Sequence, residues 1–439
     1  MGRALDHRTV LRQWRNRGRR VDFLSETVRL VPFRPIGPPH LRLTASFVSF
    51  PQWAKRTVYT LLDAYHRHPP LFRRYVLGEP PPDLISLRDA YPTAEVDVLA
   101  PPCPVSLPNA NSGRPRPELP LDIVPGETPP DVVARLSEAT YCSTYHVLLD
   151  RDHQIVRESC NASSLRHFRV RRFYDTPRTR IEGPTALWKL RFFNYYHLLI
   201  EALPRLLALE RTSLLSALGD VQLLCPGGLS STDAFFLSKL GLDRLPILEV
   251  EAGPLYRLES LVLSSLKTEG STAYLPPWYA RTLRERLLPE RPSTRRHRLY
   301  ISRQRAGTRR LANHAAVTRI LRRHGFEPVR MEDLSLPEQI ELMYDAEAVV
   351  APHGAGLTNL LFGRDLRVLE LFPCRKIEPH YLFLSASLGH RYEALPGPGS
   401  ELNPPQFSVD LSLLDRTVEA MWTGRAERPT HARLRADPS

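Results

Sequence analysis

Lysine is nearly missing from this chain, cysteine is sparse, and no long apolar run occurs. In 439 residues lysine stands only at Lys55, Lys189, Lys239, Lys267 and Lys376, so the net charge of +13 is carried by arginine. A guanidinium grips phosphate and carboxylate with a planar fork that an ammonium lacks. This balance suits anionic partners such as nucleotides or an acidic membrane surface. A compositional preference for Arg over Lys would write much of the same surface. No dense basic tract interleaved with aromatics occurs, so nucleic acid is not an expected partner.

The five cysteines, Cys103, Cys142, Cys160, Cys225 and Cys374, are odd in number and form no C-x-x-C pair. That argues against a disulfide scaffold and a structural zinc site, and it fits a reducing compartment. No apolar run approaches the roughly 20 residues of a membrane span. Residues 1–20 are basic but lack the apolar stretch of a secretory signal. The expectation is a cytoplasmic protein, with peripheral contact at the inner membrane face left open. The sequon Asn161-Ala162-Ser163 then reads as chance.

Length allows two or three domains. About half of the 42 prolines fall in residues 1–130, which we read as an accessory region with a helix over Trp53–His66 and an extended linker over residues 101–120. Residues 131–290 mix short strands with helices; Val221–Cys225 and Ser260–Leu266 are strand candidates, and Thr232–Leu240 a helix. A proline-bearing connector follows at residues 289–294. From Arg298 the alternation becomes regular. Strands at residues 299–302, 326–330, 348–351 and 367–371 are separated by helices at residues 311–324, stopped by Gly325, and from the capping box Ser335-Leu336-Pro337-Glu338 to about Ala346. This β-α-β alternation predicts a parallel sheet of an α/β fold over residues 291–400. A C-terminal helix and tail occupy residues 401–439.

Ligands of such sheets bind beyond the carboxyl ends of the strands. Two loops belong there. One is Ser302-Arg303-Gln304-Arg305-Ala306-Gly307-Thr308-Arg309-Arg310. The other is His353-Gly354-Ala355-Gly356, followed by an apolar helix containing Thr358 and Asn359. Glycines admit close backbone approach, a helix start aims N–H groups at an anion, and guanidinium forks hold phosphate oxygens. Together they suit a diphosphate bound by Ser302, Arg303, Arg310, His353, Gly354, Ala355, Gly356, Thr358 and Asn359. Glu370, ending the next strand, could accept from ribose hydroxyls; an ordinary surface carboxylate is the competing reading.

A second constellation lies at Asn194-Tyr195-Tyr196-His197-Leu198-Leu199-Ile200-Glu201-Ala202-Leu203-Pro204-Arg205. On a helix, Asn194, His197, Glu201 and Arg205 fall within about 80° of arc, opposite the apolar set. His197 and Glu201, four apart, can touch. A carboxylate beside an imidazole orients it and raises its basicity, as a general base requires; a plain polar helix face is the alternative. Pro204 should kink or restart the helix and makes Arg205 less secure. Asp150-Arg151-Asp152 matches a metal-binding D-x-D but reads as a hairpin turn, and no metal is expected.

Three ordered segments resemble glycosyltransferase family 61: Asn194-Tyr195-Tyr196-His197 with Glu201, Pro204 and Arg205; Tyr300-Ile301-Ser302-Arg303 with Ala306, Arg309, Arg310 and Asn313; and Pro352-His353-Gly354-Ala355-Gly356-Leu357-Thr358-Asn359 with Phe362 and Glu370-Leu371-Phe372-Pro373. The resemblance covers roughly residues 140–425. It implies a GT-B fold, two facing Rossmann-like domains with the N-terminal one (131–290) taking the acceptor and the C-terminal one (291–400) the donor. It implies inverting, metal-independent transfer from a nucleotide-sugar, commonly a UDP-sugar, with His197, Glu201 and Asn194 as catalytic residues and no cofactor. The bacterial branch is linked to capsular and exopolysaccharide assembly, with a glycan or lipid-linked glycan acceptor; plant and animal members normally carry an N-terminal membrane anchor. Two departures stand out: His314 follows Asn313 where an acidic residue is frequent, and Glu201 stands where many bacterial members have Asp. A nucleotide-sugar epimerase of the same fold, and a non-catalytic polysaccharide or scaffold protein, are the alternatives.

Overall fold

The computed structural model describes residues 84–102, 104–105, 127–150, 154–160, 178–189, 194–212, 221–251, 255–267 and 273–423. The helix expected at Trp53–His66, most of the 101–120 linker, Asp152 and the sequon lie outside them. All the described residues belong to a single compact unit.

Two main sheets build this unit. The first has nine strands: β1 (Leu84–Ile85), β2 (Glu95–Ala100), β3 (Asp131–Cys142), β4 (Val147–Leu149), β5 (Ile155–Val156), β6 (Arg178–Leu187), β7 (Gln222–Pro226), β8 (Ile247–Val250) and β9 (Leu255–Ser264). Their order is β1-β5-β4-β3-β9-β6-β7-β8, with β2 alongside β3. The run β9-β6-β7-β8 is parallel. The β2-β3-β4 part and the long β3–β9 ladder are antiparallel. The sheet is therefore mixed, and it takes in residues 84–100, upstream of the 131 boundary drawn from proline content. Glu95–Ala100 lacks proline and alternates (Val96, Val98), so its pairing outweighs the composition around it.

The second sheet is fully parallel. Its strands are β10 (His297–Ile301), then, past the small β11 (Arg310–Leu311), β12 (Phe326–Val329), β13 (Ala346–Pro352), β14 (Arg367–Cys374) and β15 (Arg391–Gly399). The order β12-β10-β13-β14-β15 reverses direction between β10 and β13, the point where doubly wound sheets bind ligands. The small β11 pairs instead with β16 (Gln406–Phe407). The capping box at Ser335 forms as read: the Ser335 hydroxyl accepts from Glu338 N–H while the Glu338 carboxylate accepts from Ser335 N–H, opening the helix Leu336–Tyr344. Gly325, at φ +79°, ends the helix His314–Arg323.

One apolar core joins the sheets. Val133, Trp188, Leu207 and Leu223 of the first half belong to the same buried cluster as Val349, Leu360, Leu361 and Leu384 of the second. The outer face of the second sheet is closed by the helix Leu411–Thr423 through Leu414 and Val418. Its Trp422 ring stacks under Arg298 and Arg367 at 3.9 and 4.4 Å. Cys142, Cys160, Cys225 and Cys374 are buried. Among the described residues no helix is long and apolar enough to cross a membrane.

Candidate functional site

The helical segment bearing His197 is not a plain α-helix. Asn194 caps it, its Oδ1 accepting from His197 N–H at 3.1 Å. Residues Leu198–Ala202 then widen into a π turn before α geometry resumes at Leu203. Pro204 is the physical reason, because it brings no N–H to the ladder. Leu203 N–H reaches five residues back to Leu198 O. In that register Pro204 would serve Leu199 O, and the Tyr279 hydroxyl donates to this carbonyl in its place.

His197 and Glu201 meet as the spacing implied: His197 Nδ1 lies 2.6 Å from Glu201 Oε2. Glu201 is buried and His197 is partly open, with side-chain exposures of 3% and 24%. The fourth member of the predicted polar face departs. Arg205 is fully buried, and its Nε donates to Ser264 O on β9 at 2.8 Å. The π turn rotates everything after it, so Arg205 faces the sheet. Burial pulls its guanidinium down to about 10. Asp150, the described part of the D-x-D, closes a β4–β5 turn by accepting from Gln154 N–H at 2.7 Å.

The two glycine- and arginine-bearing loops do share one sheet edge. Ser302 and Arg303 follow β10; His353 and Gly354 follow the adjacent parallel β13. A pocket of about 310 Å³ opens there, lined by Ser302, Arg303, Arg305, Glu332, Gly354 and Gly356 among others. Gly354 has extended backbone open to any residue (φ 166°), so its smallness matters for a different reason. A Cβ at this position would overlap the Arg303 guanidinium. Gly354 thus seats Arg303 against the strand end. Arg303, Arg309 and Arg310 each keep a buried Nε with no hydrogen-bond partner. Unmet buried donors are costly, and three from one loop, of which Arg303 lines the pocket, offer positive charge to an anion. Arg309 also holds left-handed backbone at φ +58°, strain of the kind that functional loops store.

The helix expected after Gly356 forms as a 3-10 helix, Ala355–Phe362. Its Thr358 and Asn359 are wholly buried. Thr358 Oγ1 lies 3.5 Å from the Tyr381 hydroxyl. Asn359 Oδ1 accepts from the Tyr195 hydroxyl at 2.7 Å, and its Nδ2 donates to Gln339 Oε1 and Gly356 O. Both residues fix the frame instead of facing the pocket.

Glu370 and His353 likewise turn inward. Glu370 is fully buried; Oε1 lies 2.5 Å from His353 Nδ1, and Oε2 accepts from the Tyr392 hydroxyl at 2.5 Å. With both oxygens engaged, it is not placed to hold a ribose. The other His353 nitrogen, Nε2, lies 2.9 Å from Glu378 Oε2. Burial alone would lower the His353 imidazole, but the two carboxylates outweigh it and raise it. Glu378, which burial would raise, is brought down to about 2 chiefly by its hydrogen bond to His353. Arg309 Nη1 also reaches Glu378 at 3.3 Å.

Aromatic rings bridge the two constellations. Tyr196 stands edge-on to His197, His380 and Tyr381, with centroids 5.3, 5.1 and 6.0 Å away. His353 lies 5.6 Å from His380. The His197 segment is therefore docked directly on the strand-end loops. Sequence reasoning named Arg309 and Tyr195 only as members of their motifs, and assigned no role to Glu332, Glu378 or His380. Glu332 follows β12, where an acidic residue in a doubly wound fold would be sought; the others have no local signature.

Comparison with known proteins gives matches to glycosyltransferases. The family model described as glycosyltransferase 61 matches residues 195–369. A beta-1,2-xylosyltransferase of Oryza sativa subsp. japonica is 36% identical over 118 residues, 25% of this chain. The matched stretch spans 20% of that protein. Residues 195–369, from the Tyr195 of the π-turn helix into β14, are thus similar to the glycosyltransferase 61 family.

Proposed function

We propose that this chain transfers a sugar from a nucleotide-sugar donor of the UDP class to a hydroxyl of a glycan acceptor, with inversion and without a step through a metal. The observation that carries the reading is the Arg303–Gly354 contact at the β10/β13 switch point, beside three unmet guanidinium Nε groups. We read the two sheets as the halves of a GT-B enzyme, the parallel one holding the donor. Arg303, Arg309 and Arg310 take the diphosphate, with Ser302 and the Gly354–Gly356 backbone beside them. Glu332, which lines the pocket, replaces Glu370 as the group for ribose hydroxyls.

His197 acts as the base. Glu201 on Nδ1 selects the tautomer whose basic nitrogen is Nε2. The acceptor O–H gives its proton to Nε2 as its oxygen bonds to the anomeric carbon. The bond from that carbon to the phosphate oxygen breaks, and the nucleoside diphosphate leaves with the electron pair. A single displacement inverts the centre, and arginines stabilise the leaving charge. The relative's name makes a pentosyl donor such as UDP-xylose the first to try. The acceptor we propose is a surface-polysaccharide glycan.

A thermal-shift panel of nucleoside diphosphates and nucleotide-sugars, with and without chelator, tests the reading. Stabilisation by one nucleoside diphosphate family, unaffected by chelator, is expected. No shift with any nucleotide, or a shift that chelator abolishes, overturns it.

A further inference from the structure

His353, Glu378 and His380 form a cluster that phosphate binding does not use. Their ligand atoms, two imidazole nitrogens and a carboxylate oxygen, lie within 4.8 Å of one another. His353 presents Nε2 to this cluster because Glu370 holds its Nδ1 at 2.5 Å. Tyr392 in turn holds Glu370. A carboxylate behind the far nitrogen is the arrangement that fixes ring orientation and raises donor strength in metal-ligating histidines. His380 supplies an independent observation: its Nδ1 is buried and has no hydrogen-bond partner. A lone pair or N–H shut away from water in that state calls for a partner.

We propose that His353, Glu378 and His380 bind one transition-metal ion of the Zn²⁺ class behind the His353–Gly356 turn. Two imidazoles and one carboxylate favour Zn²⁺ or Co²⁺ over Mg²⁺ or Ca²⁺, which prefer all-oxygen sets. Three protein ligands leave a fourth position for water. With bonds of about 2.0–2.2 Å, a tetrahedral ion sets its ligand atoms roughly 3.3 Å apart. The Ile377–Pro379 turn, between β14 and the helix His380–Leu388, closes inward to reach that spacing. The ion takes Glu378 from Arg309, to which it is paired at 3.3 Å. The ion takes no part in the transfer steps proposed above and meets them only through Arg309, which it frees from Glu378.

The test uses the full chain, stripped with chelator, titrated with ZnCl₂ by calorimetry and with CoCl₂ by visible absorption. Wild type takes one equivalent of Zn²⁺ that His380→Ala and His380→Gln both lose. Glu370→Gln weakens it about 10–100-fold through the orienting bond. Circular dichroism confirms that each variant is folded, and His324→Ala, remote from the cluster, keeps the site. Absence of a stoichiometric site, or isotherms unchanged in both His380 variants, overturns the proposal. Transfer assayed on the stripped protein separates the two readings: activity without metal leaves the metal-independent mechanism standing whichever way the titration falls.

Discussion

The Tyr195 hydroxyl, next to the cap of the His197 helix, donates to the buried Oδ1 of Asn359 at 2.7 Å. These residues are 164 positions apart, and the bond ties the His197 segment to the 3-10 helix after Gly354. Every functional expectation depends on that alignment.

Tyr195→Phe tests the tie itself. It leaves a fully buried amide oxygen without its donor, which costs about 1–3 kcal/mol. The urea midpoint should fall accordingly, and turnover should drop more than donor affinity as His197 loses its registration.

His197→Ala and Glu201→Gln should each reduce kcat about 10²–10⁴-fold, the usual share of a positioned base. Affinity for the nucleoside diphosphate should stay within a few-fold, because neither residue lines the donor pocket. Calorimetry that shows donor binding lost in both variants removes His197 from the reaction.

Gly354→Ala is a test with little backbone cost, since the φ of 166° suits any residue. The added methyl displaces the Arg303 guanidinium. Nucleoside diphosphate affinity should weaken about tenfold or more, matching Arg303→Ala, with an unchanged melting temperature in the absence of ligand. If Gly354→Ala binds nucleotide as wild type does, Arg303 does not hold the phosphates.

His390 should make the fold acid-sensitive. It is buried with both nitrogens engaged: Nε2–H donates to Leu360 O at 2.9 Å, and Nδ1 accepts from Leu366 N–H at 3.4 Å. Protonation would put a second N–H where an acceptor is needed, and burial holds the imidazole down at about 4. The unfolded chain, near 6.5, binds the proton more readily between those values. Stability is therefore complete above pH 6.5 and is lost as pH falls towards 4, by roughly 3 kcal/mol at most. Urea titrations at pH 7 and pH 5 check this, and His390→Gln should flatten the slope.

The regular C-terminal half was legible because each signal there is local. Ser335 and Glu338 lie one turn apart, Gly325 stands at a left-handed stop, and apolar strands are separated by helical spacing. The helix His380–Leu388 escaped notice because it is apolar on nearly every side and has no stripe to count. The strand β15 was hidden by Pro396 and Pro398, which an edge strand tolerates. The β3–β9 ladder, joining residues more than a hundred positions apart, carries no local mark. The His197–Glu201 pair was readable from a spacing of four, whereas the inward turn of Glu370 was not. Its alternation on β14 gives a face, but only the meeting with His353 and Tyr392 shows that the face is closed. Arg205 misled because a helical wheel assumes constant pitch, and the π turn changes it.

The buried cluster that contains Val133 and Leu207 as well as Val349 and Leu361 limits how this molecule can move. Two lobes hinged about a cleft need a plane of weak contact along which to part, and here that plane is filled with interlocked side chains. Opening it would expose aliphatic surface at about 25 cal/mol per Å². In the reaction proposed above, donor entry and product escape therefore fall to the arginine loop over residues 303–310 and the turn before His380, and the pace of turnover should follow the flexing of these segments.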